Sequence, residues 1–438
     1  MSPPLNVVVI AVDALRADHL GCYGYERATS PNIDRLAEQG VLSERFYCSA
    51  IPTHPSFTTL YAGQHAVTHG VVSHGGDAKL APETPTFPQV FLKSGYTTCA
   101  IDNLMRERLW FGRGYEYYID SSLRRVLNLG VTCEELNHRG LPWLRSHASE
   151  PFLFFVHYWD PHAPYTPPEK YRGLFYEGDP CDPSNRSLEP FWAHPFGAMA
   201  RDSWLRSPAG LITDADYVAA LYDQEIRHVD DGIGALLETI DDLGLADRTL
   251  VILLGDHGES MTEHGIFFEH HGLYDATLHI PLIVRCPGRT PQSVRVPQML
   301  QTHRLAPTIL EAAGLPVPPT MHGQSFWPLL SGQTQEGGQE AAVSLECTLQ
   351  AKWSLRTVDY KFILSREPDF YGNPMRELYD LENDPLELRN IAEERSQLAA
   401  EMEDRLEAWI AEELKRAGRR QDPLIEQGIS LRAVLEVG

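Results

Sequence analysis

The sequence predicts an α/β fold: a mainly parallel central sheet between two layers of helices, followed by a smaller C-terminal α+β subdomain. Residues 5–13, LNVVVIAVD, form a nearly continuous run of β-branched residues, which is typical of a strand covered on both faces. Two further apolar runs, at 151–160 and 248–259, also end in polar side chains. Helical patterns alternate with these runs, as expected when helices connect parallel strands.

The other elements follow from periodicity and capping signals. Helical spacing of apolar residues predicts a long amphipathic helix at 214–244, with a candidate break at Gly232. Residues 172–212 lack clear periodicity and are interpreted as an insertion. The predicted division is a first domain, 1–335, and a C-terminal subdomain, 336–438, with a short antiparallel sheet and a closing helix. Further helices are predicted at 30–40, 86–95, 302–314 and 396–416, and further strands at 96–102, 279–288, 341–346, 353–364 and 377–384.

Composition narrows the class of function. The chain has 438 residues, 43% hydrophobic and 22% charged, which is typical of a soluble globular enzyme with more than one core. A formal net charge of −23 argues against nucleic acid or an anionic membrane as partner. It does not exclude a small-molecule anionic substrate, because a metal and histidines can make a site locally positive. A homo-oligomer remains an option.

Three features predict a cytoplasmic location. Residues 1–12 lack the basic segment and the cleavage site of a signal peptide. No run reaches the roughly 20 apolar residues of a membrane-spanning helix. The seven cysteines are scattered and without CxxC spacing, which indicates reduced thiols.

Two strand ends carry candidate metal ligands. The segment GDHGE, 255–259, places Asp256 and His257 directly after an apolar run, and its glycines allow the sharp bend that lets both side chains reach one divalent ion. Asp13 ends the first strand, where open α/β sheets bind their ligands, and supplies a third ligand. Manganese, calcium, zinc and magnesium all remain open. The competing interpretation of residues 255–259 is a polar turn with an incidental histidine. The competing interpretation of Asp13 is that it caps the turn that follows.

A hydroxyl ligand is indicated by residues 49–63, SAIPTHPSFTTLYAG, which resemble the signature of the sulfatase family: Cys or Ser, any residue, Pro, Ser, Arg, then a helix that closes on glycine. Thr53 takes the nucleophile position, and Pro55, Ser56 and Gly63 match. The chain is identified as a member of the sulfatase-like branch of the alkaline phosphatase superfamily. The resemblance implies an α/β fold, one divalent metal and nucleophilic attack on a phosphorus or sulfur ester. Other segments resemble the family in the same order: 12–25, 157–168, 253–265 and 271–284.

Departures from the family pattern favour phosphorus esters. The sulfatase nucleophile is a formylglycine made from Cys or Ser, and Thr53 cannot be its precursor. Cys48 has the wrong spacing, Phe57 replaces the motif's arginine, and Val12 replaces one of the paired acids. An unmodified threonine resembles instead the phosphodiesterase and phosphonate monoester hydrolase relatives. Two alternatives stay open: a sulfatase that uses unmodified threonine, and a catalytically weak binding protein.

Four histidines complete the predicted site. His162 occupies the family's substrate-contacting position and is predicted to bind an oxygen or to protonate the leaving group. His271 falls where relatives carry a lysine that contacts the transferred group. His74 falls where many relatives have asparagine and is predicted to bind substrate. His54 either orients Thr53 and the substrate or faces solvent.

Overall fold

The central sheet has eight strands, in the order β11 (Val294–Gln301), β2 (Val41–Tyr47), β10 (Leu282–Arg285), β9 (Thr249–Gly255), β1 (Asn6–Val12), β6 (Phe152–Tyr158), β4 (Thr97–Ile101) and β5 (Tyr117–Ile119). The computed structural model describes residues 4–122 and 131–432; residues 1–3 and 433–438, at the outer ends of the two predicted domains, lie outside it. All neighbouring pairs in this sheet are parallel except those of β10, which runs antiparallel to β9 and to β2. The predicted α/β class with a mainly parallel sheet is confirmed.

The described strands are β1 Asn6–Val12, β2 Val41–Tyr47, β3 Ala50–Ile51, β4 Thr97–Ile101, β5 Tyr117–Ile119, β6 Phe152–Tyr158, β7 Arg206–Ser207, β8 Gly210–Leu211, β9 Thr249–Gly255, β10 Leu282–Arg285, β11 Val294–Gln301, β12 Ala342–Glu346, β13 Lys352–Arg356, β14 Tyr360–Ser365 and β15 Arg376–Asp380. The described helices are α1 Pro31–Glu38, α2 Thr53–Ala62, α3 Ala66–His69, α4 Phe87–Lys93, α5 Cys133–Ser146, α6 Glu189–Trp192, α7 Pro195–Asp202, α8 Ala215–Asp242, α9 Asp275–Leu278, α10 Leu305–Ala312, α11 Trp327–Leu330, α12 Ser396–Arg416 and α13 Pro423–Gln427.

Strand β1 is buried on both faces, as its composition predicts. Val7 and Val9 pack into one core with α2, α4 and α10. Val8 and Ile10 point the other way and pack with α1, α5 and α8. Because successive side chains of a strand alternate between faces, one apolar run supplies both cores.

Helix α8 is continuous over 28 residues, so the break considered at Gly232 is wrong. A Cβ at Gly232 would lie 2.7 Å from the Cβ of Cys133, and one at Gly234 would lie 2.7 Å from Cγ of Asn32. These two glycines therefore let α8 approach α5 and α1 closely, and neither interrupts the helix.

The second sheet joins the C-terminal part of the chain to the start of α2. Strands β12–β15 form the expected antiparallel sheet, and β3 adds to its edge in parallel with β12, with Ala50 opposite Leu345. Helix α12 has the predicted limits and packs on this sheet through Met402 and Leu406, which belong to the same buried cluster as Trp353. The boundary at residue 335 stays a prediction.

Residues 172–212 fold into short elements that include α6, α7 and the β7–β8 hairpin. Leu188, Phe191 and Leu205 from this segment are buried in the core that contains α8. That the segment is an insertion stays a prediction. All seven cysteines are free. Within the described ranges, no helix combines the length and apolar character needed to cross a membrane.

Candidate active site

Strands β1 and β9 bring the three predicted metal ligands together. Their parallel register places Val12 beside Gly255, so the residues that follow each strand meet at one edge of the sheet. The ligand atoms of Asp13, Asp256 and His257 lie within 4.8 Å of one another, and all three side chains are buried. We call these three residues the inner group.

In each carboxylate of the inner group, one oxygen makes hydrogen bonds and the other has no hydrogen-bond partner. Asp256 Oδ1 accepts hydrogen bonds from the backbone N–H groups of Ala14, at 3.1 Å, and His257, at 2.8 Å. Asp13 Oδ2 lies 3.1 Å from His157 Nε2. The other oxygens, Asp13 Oδ1 and Asp256 Oδ2, are buried without a hydrogen bond. Burial, and then the charge of Asp13, raises the pKa of Asp256 well above its usual range. A divalent cation offsets such a pair, so the residues present fit a metal.

His257 presents one nitrogen to the same point. Its Nδ1 lies 2.9 Å from the carbonyl oxygen of Gly258, which assigns the proton to Nδ1 and leaves the Nε2 lone pair free to bind a metal. Nε2 lies 3.5 Å from Asp13 Oδ1 and 3.3 Å from Asp256 Oδ2. Burial lowers the pKa of His257 to about 4, so the ring is neutral at pH 7, the form that ligates metals.

Thr53 is the first residue of α2, and its Oγ1 lies 3.1 Å from His257 Nε2. Ser56, in the same helical turn, donates a hydrogen bond of 2.6 Å to the Asp256 carbonyl oxygen. The Cys48 thiol lies 2.9 Å from that oxygen. These contacts attach the start of α2 to the end of β9. The N-terminal end of a helix also favours negative charge, which suits an anionic ester at Thr53.

His157, on β6, is a site residue that the sequence patterns missed. Its Nε2 contacts Asp13, and its Nδ1 lies 2.9 Å from Oδ1 of Asp102, which follows β4. Burial lowers the pKa of His157, but hydrogen bonds to Asp102 and Asp13 outweigh it and raise the pKa to about 10. Phe57 packs edge-on against this imidazolium, with ring centroids 4.7 Å apart. The signal that was available is a histidine inside an otherwise apolar buried strand.

Ala14 holds the turn after β1 in a strained conformation. Its φ is +54°, in the left-handed region, which costs a non-glycine residue about 1 kcal/mol. The Tyr222 hydroxyl donates a 2.7 Å hydrogen bond to the Ala14 carbonyl oxygen, and the Ala14 N–H points to Asp256. The strain therefore serves to orient a carboxylate of the inner group.

His162 lies near the inner group through an intervening ring. Its Nδ1 is 2.6 Å from the Ala163 carbonyl oxygen, and its ring centroid is 4.8 Å from that of His270. His270 in turn stacks on His257 at 4.7 Å. The catalytic role of His162 stays a prediction.

His271 pairs with a carboxylate from the second sheet. Its Nδ1 lies 2.6 Å from Oε1 of Glu346, at the end of β12, and the Gly272 N–H donates to Oε2 of the same carboxylate at 2.9 Å. Burial lowers the pKa of His271, but the charge and hydrogen bond of Glu346 outweigh it, so the pKa is raised. The sequence patterns missed Glu346 because it is distant in sequence.

His54 and His74 lie face to face, with ring centroids 3.8 Å apart, and both turn toward Glu107. His54 Nε2 lies 2.7 Å from Glu107 Oε2. Their predicted contact with substrate stays a prediction, and the sequence patterns missed Glu107.

Comparison with known proteins identifies the family. The family model described as Sulfatase matches residues 5–315, about seven-tenths of the chain. The chain belongs to the sulfatase family. A second model, described as N-sulphoglucosamine sulphohydrolase, C-terminal, matches residues 262–412. As a member of this family the chain is an ester hydrolase, and enzymes of the family generally use a divalent metal.

Individual relatives of this sulfatase-family chain are distant but cover most of it. An arylsulfatase of Clostridium perfringens is 23% identical over 446 residues, which cover 88% of this chain and 90% of that protein. An N-acetylglucosamine-6-O-sulfatase of Bacteroides thetaiotaomicron is 23% identical over 470 residues, covering 88% and 82%. The crystal structure of a phosphonate monoester hydrolase of Agrobacterium radiobacter has the same fold, with a TM-score of 0.75 at 22% identity over 94% of this chain and 96% of that one.

Proposed function

We propose that this sulfatase-family chain is a metal-dependent hydrolase of phosphodiester, phosphonate or phosphate esters, with Thr53 as its nucleophile. The observation that carries the proposal is the Thr53 hydroxyl, 3.1 Å from the His257 Nε2 that faces the partnerless oxygens of Asp13 and Asp256. A binding protein with weak catalysis would not need two buried carboxylate oxygens that have no hydrogen-bond partner.

Each residue of the site has its own role in the proposed reaction. When bound at Asp13, Thr53, Asp256 and His257, the divalent ion supplies positive charge that lowers the pKa of the Thr53 hydroxyl and offsets charge on a nonbridging oxygen. Thr53 releases its hydroxyl proton to solvent, Oγ attacks phosphorus, and the bond from phosphorus to the leaving-group oxygen breaks. His162 protonates the leaving group. Water then attacks the phosphorus of phospho-Thr53, the bond from phosphorus to Oγ breaks, and Oγ takes up a proton as the phosphorus-containing acid leaves.

The residue type at position 53 favours phosphorus over sulfur. Thr53 cannot become formylglycine, and a sulfated threonine lacks the hemiacetal by which formylglycine expels sulfate. Cys48 is no substitute, because its thiol faces the Asp256 carbonyl and burial raises its pKa well above the usual range. A phosphorylated threonine, in contrast, is open to attack by water at phosphorus.

A sulfatase that works through unmodified Thr53 is the second candidate. The observation that favours it is the family match together with the names of the two relatives above, both of which are sulfatases. Sulfate monoesters and phosphodiesters each carry one negative charge, so charge at the site does not distinguish the two candidate functions. They differ instead in whether the modified Thr53 returns to its free hydroxyl form.

The test compares aryl phosphate monoesters and diesters, aryl phosphonates and aryl sulfates, each with manganese, calcium, zinc or magnesium. We expect multiple turnovers on a phosphodiester or phosphonate, and at most a single turnover on an aryl sulfate, with sulfated Thr53 detected by mass spectrometry. Steady turnover of the sulfate, with phosphorus esters at least about a hundredfold slower in kcat/KM (about 2.7 kcal/mol), would reverse the choice.

A further inference from the structure

The segment that carries His162 is poor in backbone hydrogen-bond donors. Residues 160–168 read DPHAPYTPP, and four of these nine residues are proline, which has no backbone N–H. The segment belongs to no described helix or strand, and the His162 N–H donates within the same turn, to the Trp159 carbonyl oxygen at 2.8 Å. Contacts from other elements therefore have to hold it in place. We call residues 159–168 the His162 loop.

Helix α8 supplies such contacts on both sides of His162. Glu225 Oε1 accepts a 2.8 Å hydrogen bond from the Thr166 N–H. Before His162 in the chain, Asp160 Oδ2 lies 3.8 Å from His228 Nδ1, and Glu225 Oε2 lies 3.3 Å from the same nitrogen. The side chains of Glu225 and His228 are only 5% and 1% exposed. One buried pair on α8 thus faces both ends of the loop.

The charge of His228 keeps Glu225 in this position. Burial lowers the pKa of His228, but the hydrogen bond to Glu225 and the other acids nearby outweigh burial and raise the pKa to about 9, so the ring is an imidazolium at pH 7. Its other nitrogen, Nε2, lies 2.7 Å from Glu134 Oε2 on α5. Burial, and then the charge of Glu225, raises the pKa of Asp160 to about 8. Glu225 is therefore the main acid at Nδ1, fixed between an imidazolium and the backbone of the loop.

Asp230, on the same helix, makes the same kind of contact with a different segment. Its Oδ1 accepts hydrogen bonds from the backbone N–H groups of Asn32, at 3.0 Å, and Ile33, at 2.8 Å, at the start of α1. Like Glu225, Asp230 is buried. Helix α1 carries none of the predicted site residues. The two acids therefore differ mainly in the segment that each one holds.

We propose that Glu225, oriented by His228, is a positioning residue: it holds the His162 loop on α8 and so places His162 beside the leaving group. The inference rests on the proposed function, in which His162 protonates the leaving group. Glu225 acts only through His162. Because proton transfer needs the donor within hydrogen-bond reach of the leaving-group oxygen, a displaced loop should slow the reactions that need this proton and spare those that do not.

Two esters of one phosphonic acid provide the test. The p-nitrophenyl group leaves as a stable anion, whereas the phenyl group leaves more easily with a proton, and kcat/KM is measured for both esters with the metal-loaded protein. We expect Glu225→Ala to lower kcat/KM for the phenyl ester at least about tenfold more than for the p-nitrophenyl ester, since a misplacement of about 1 Å can cost about 10²-fold. Glu225→Gln keeps an oxygen acceptor for the Thr166 N–H and should recover most of the wild-type ratio.

The ratio of the two kcat/KM values is the decisive quantity, because both esters are measured on one preparation and the ratio does not depend on how much of it is folded. Asp230→Ala is the matched control and should keep the wild-type ratio. An unchanged ratio in Glu225→Ala, no recovery in Glu225→Gln, or an equal change in Asp230→Ala overturns the inference. If Glu225→Ala yields no soluble protein, His228→Ala replaces it, with the same expected change and the same contradiction.

His162→Gln separates this inference from the proposed function. It should change the ratio at least as much as Glu225→Ala. A changed ratio in His162→Gln with an unchanged ratio in Glu225→Ala overturns only the role of Glu225. An unchanged ratio in His162→Gln, or a wild type that turns over neither ester, overturns the proposed role of His162 and this inference together.

Discussion

The inner group and a second group, formed by His54, His74 and Glu107, contain the same kinds of side chain in different surroundings. The inner group lies at the ends of two adjacent strands, with Asp13 and His257 fully buried. The second group takes its side chains from the first turn of α2 and from two connecting segments, and two of these three side chains are partly exposed. Buried charges interact strongly because water does not screen them, whereas exposed ones are screened and mobile. We therefore expect substitutions in the inner group to change activity and stability more than substitutions in the second group.

Removal of the hydroxyl beside the inner group is expected to have the largest effect. Thr53→Ala should lower kcat/KM by at least about 10³-fold, close to 4 kcal/mol, because no nucleophile remains. Thr53→Ser should keep part of the activity, since it retains the hydroxyl and loses only the methyl group that restricts χ1. Steady-state kinetics on the best phosphorus ester measures both. An alanine variant as active as the wild type would mean that water attacks the ester directly.

Metal removal separates the inner group from the rest of the molecule. Chelation should abolish turnover, and added divalent ion should restore it in the wild type but not in Asp256→Asn. A ligand that binds only the folded state also stabilises it, so the ion should raise the Tm of the wild type more than that of the variant. Full activity of the chelated wild type, with no residual metal by mass spectrometry, would exclude the inner group as a metal site.

His157 tests how much a contact behind the inner group contributes to metal binding there. His157→Gln removes the imidazolium that holds Asp13, and the loss of such a supporting contact typically costs 10- to 100-fold in metal affinity. We expect a loss of roughly that size in metal affinity at the inner group, measured by titration with the ion. Unchanged inner affinity would show that the sheet alone positions Asp13.

The His271–Glu346 pair tests how a buried ion pair outside the inner group contributes to stability. Glu346 raises the pKa of His271 in the folded protein above the unfolded value of about 6.5. The pair's contribution to stability is therefore complete below about pH 6.5 and is lost as pH rises through the folded pKa. In urea titrations, the difference in free energy of unfolding between the wild type and His271→Gln should shrink as pH rises. Glu346→Gln should show the same trend, and a difference that grows with pH would contradict it.

The strained turn behind the inner group should give the smallest effect. Ala14→Gly relieves about 1 kcal/mol of left-handed strain but adds about 0.4–1 kcal/mol of unfolded-chain entropy, so the free energy of unfolding should change by less than about 1 kcal/mol. Ala14→Val should be less stable than either, because a β-branched residue disfavours positive φ. Thermal denaturation compares the three. A glycine variant several kcal/mol less stable would show that the Ala14 methyl group contributes more than its conformation costs.

The sequence alone determined the class of fold and which three side chains meet in the inner group. The run of alternating buried valines in β1 predicts a two-sided core, and the acids at the ends of β1 and β9 predict that Asp13 meets Asp256 and His257. Both predictions succeed because they rest on local periodicity and on the rule that parallel strands end at one edge. The limits of α12 were predicted for the same reason, since helical spacing is written in neighbouring residues.

Only the tertiary structure decided which side chains contact the predicted site residues. His157 lies on β6, Asp102 follows β4, Glu346 comes from the second sheet and Glu107 follows a short turn. Each is distant in sequence from the residue it contacts. The continuity of α8 through Gly232 was likewise decided by the close approach of α5. Sheet register and helix packing determine these contacts. The periodicity of one segment does not show which distant segment will pack against that segment.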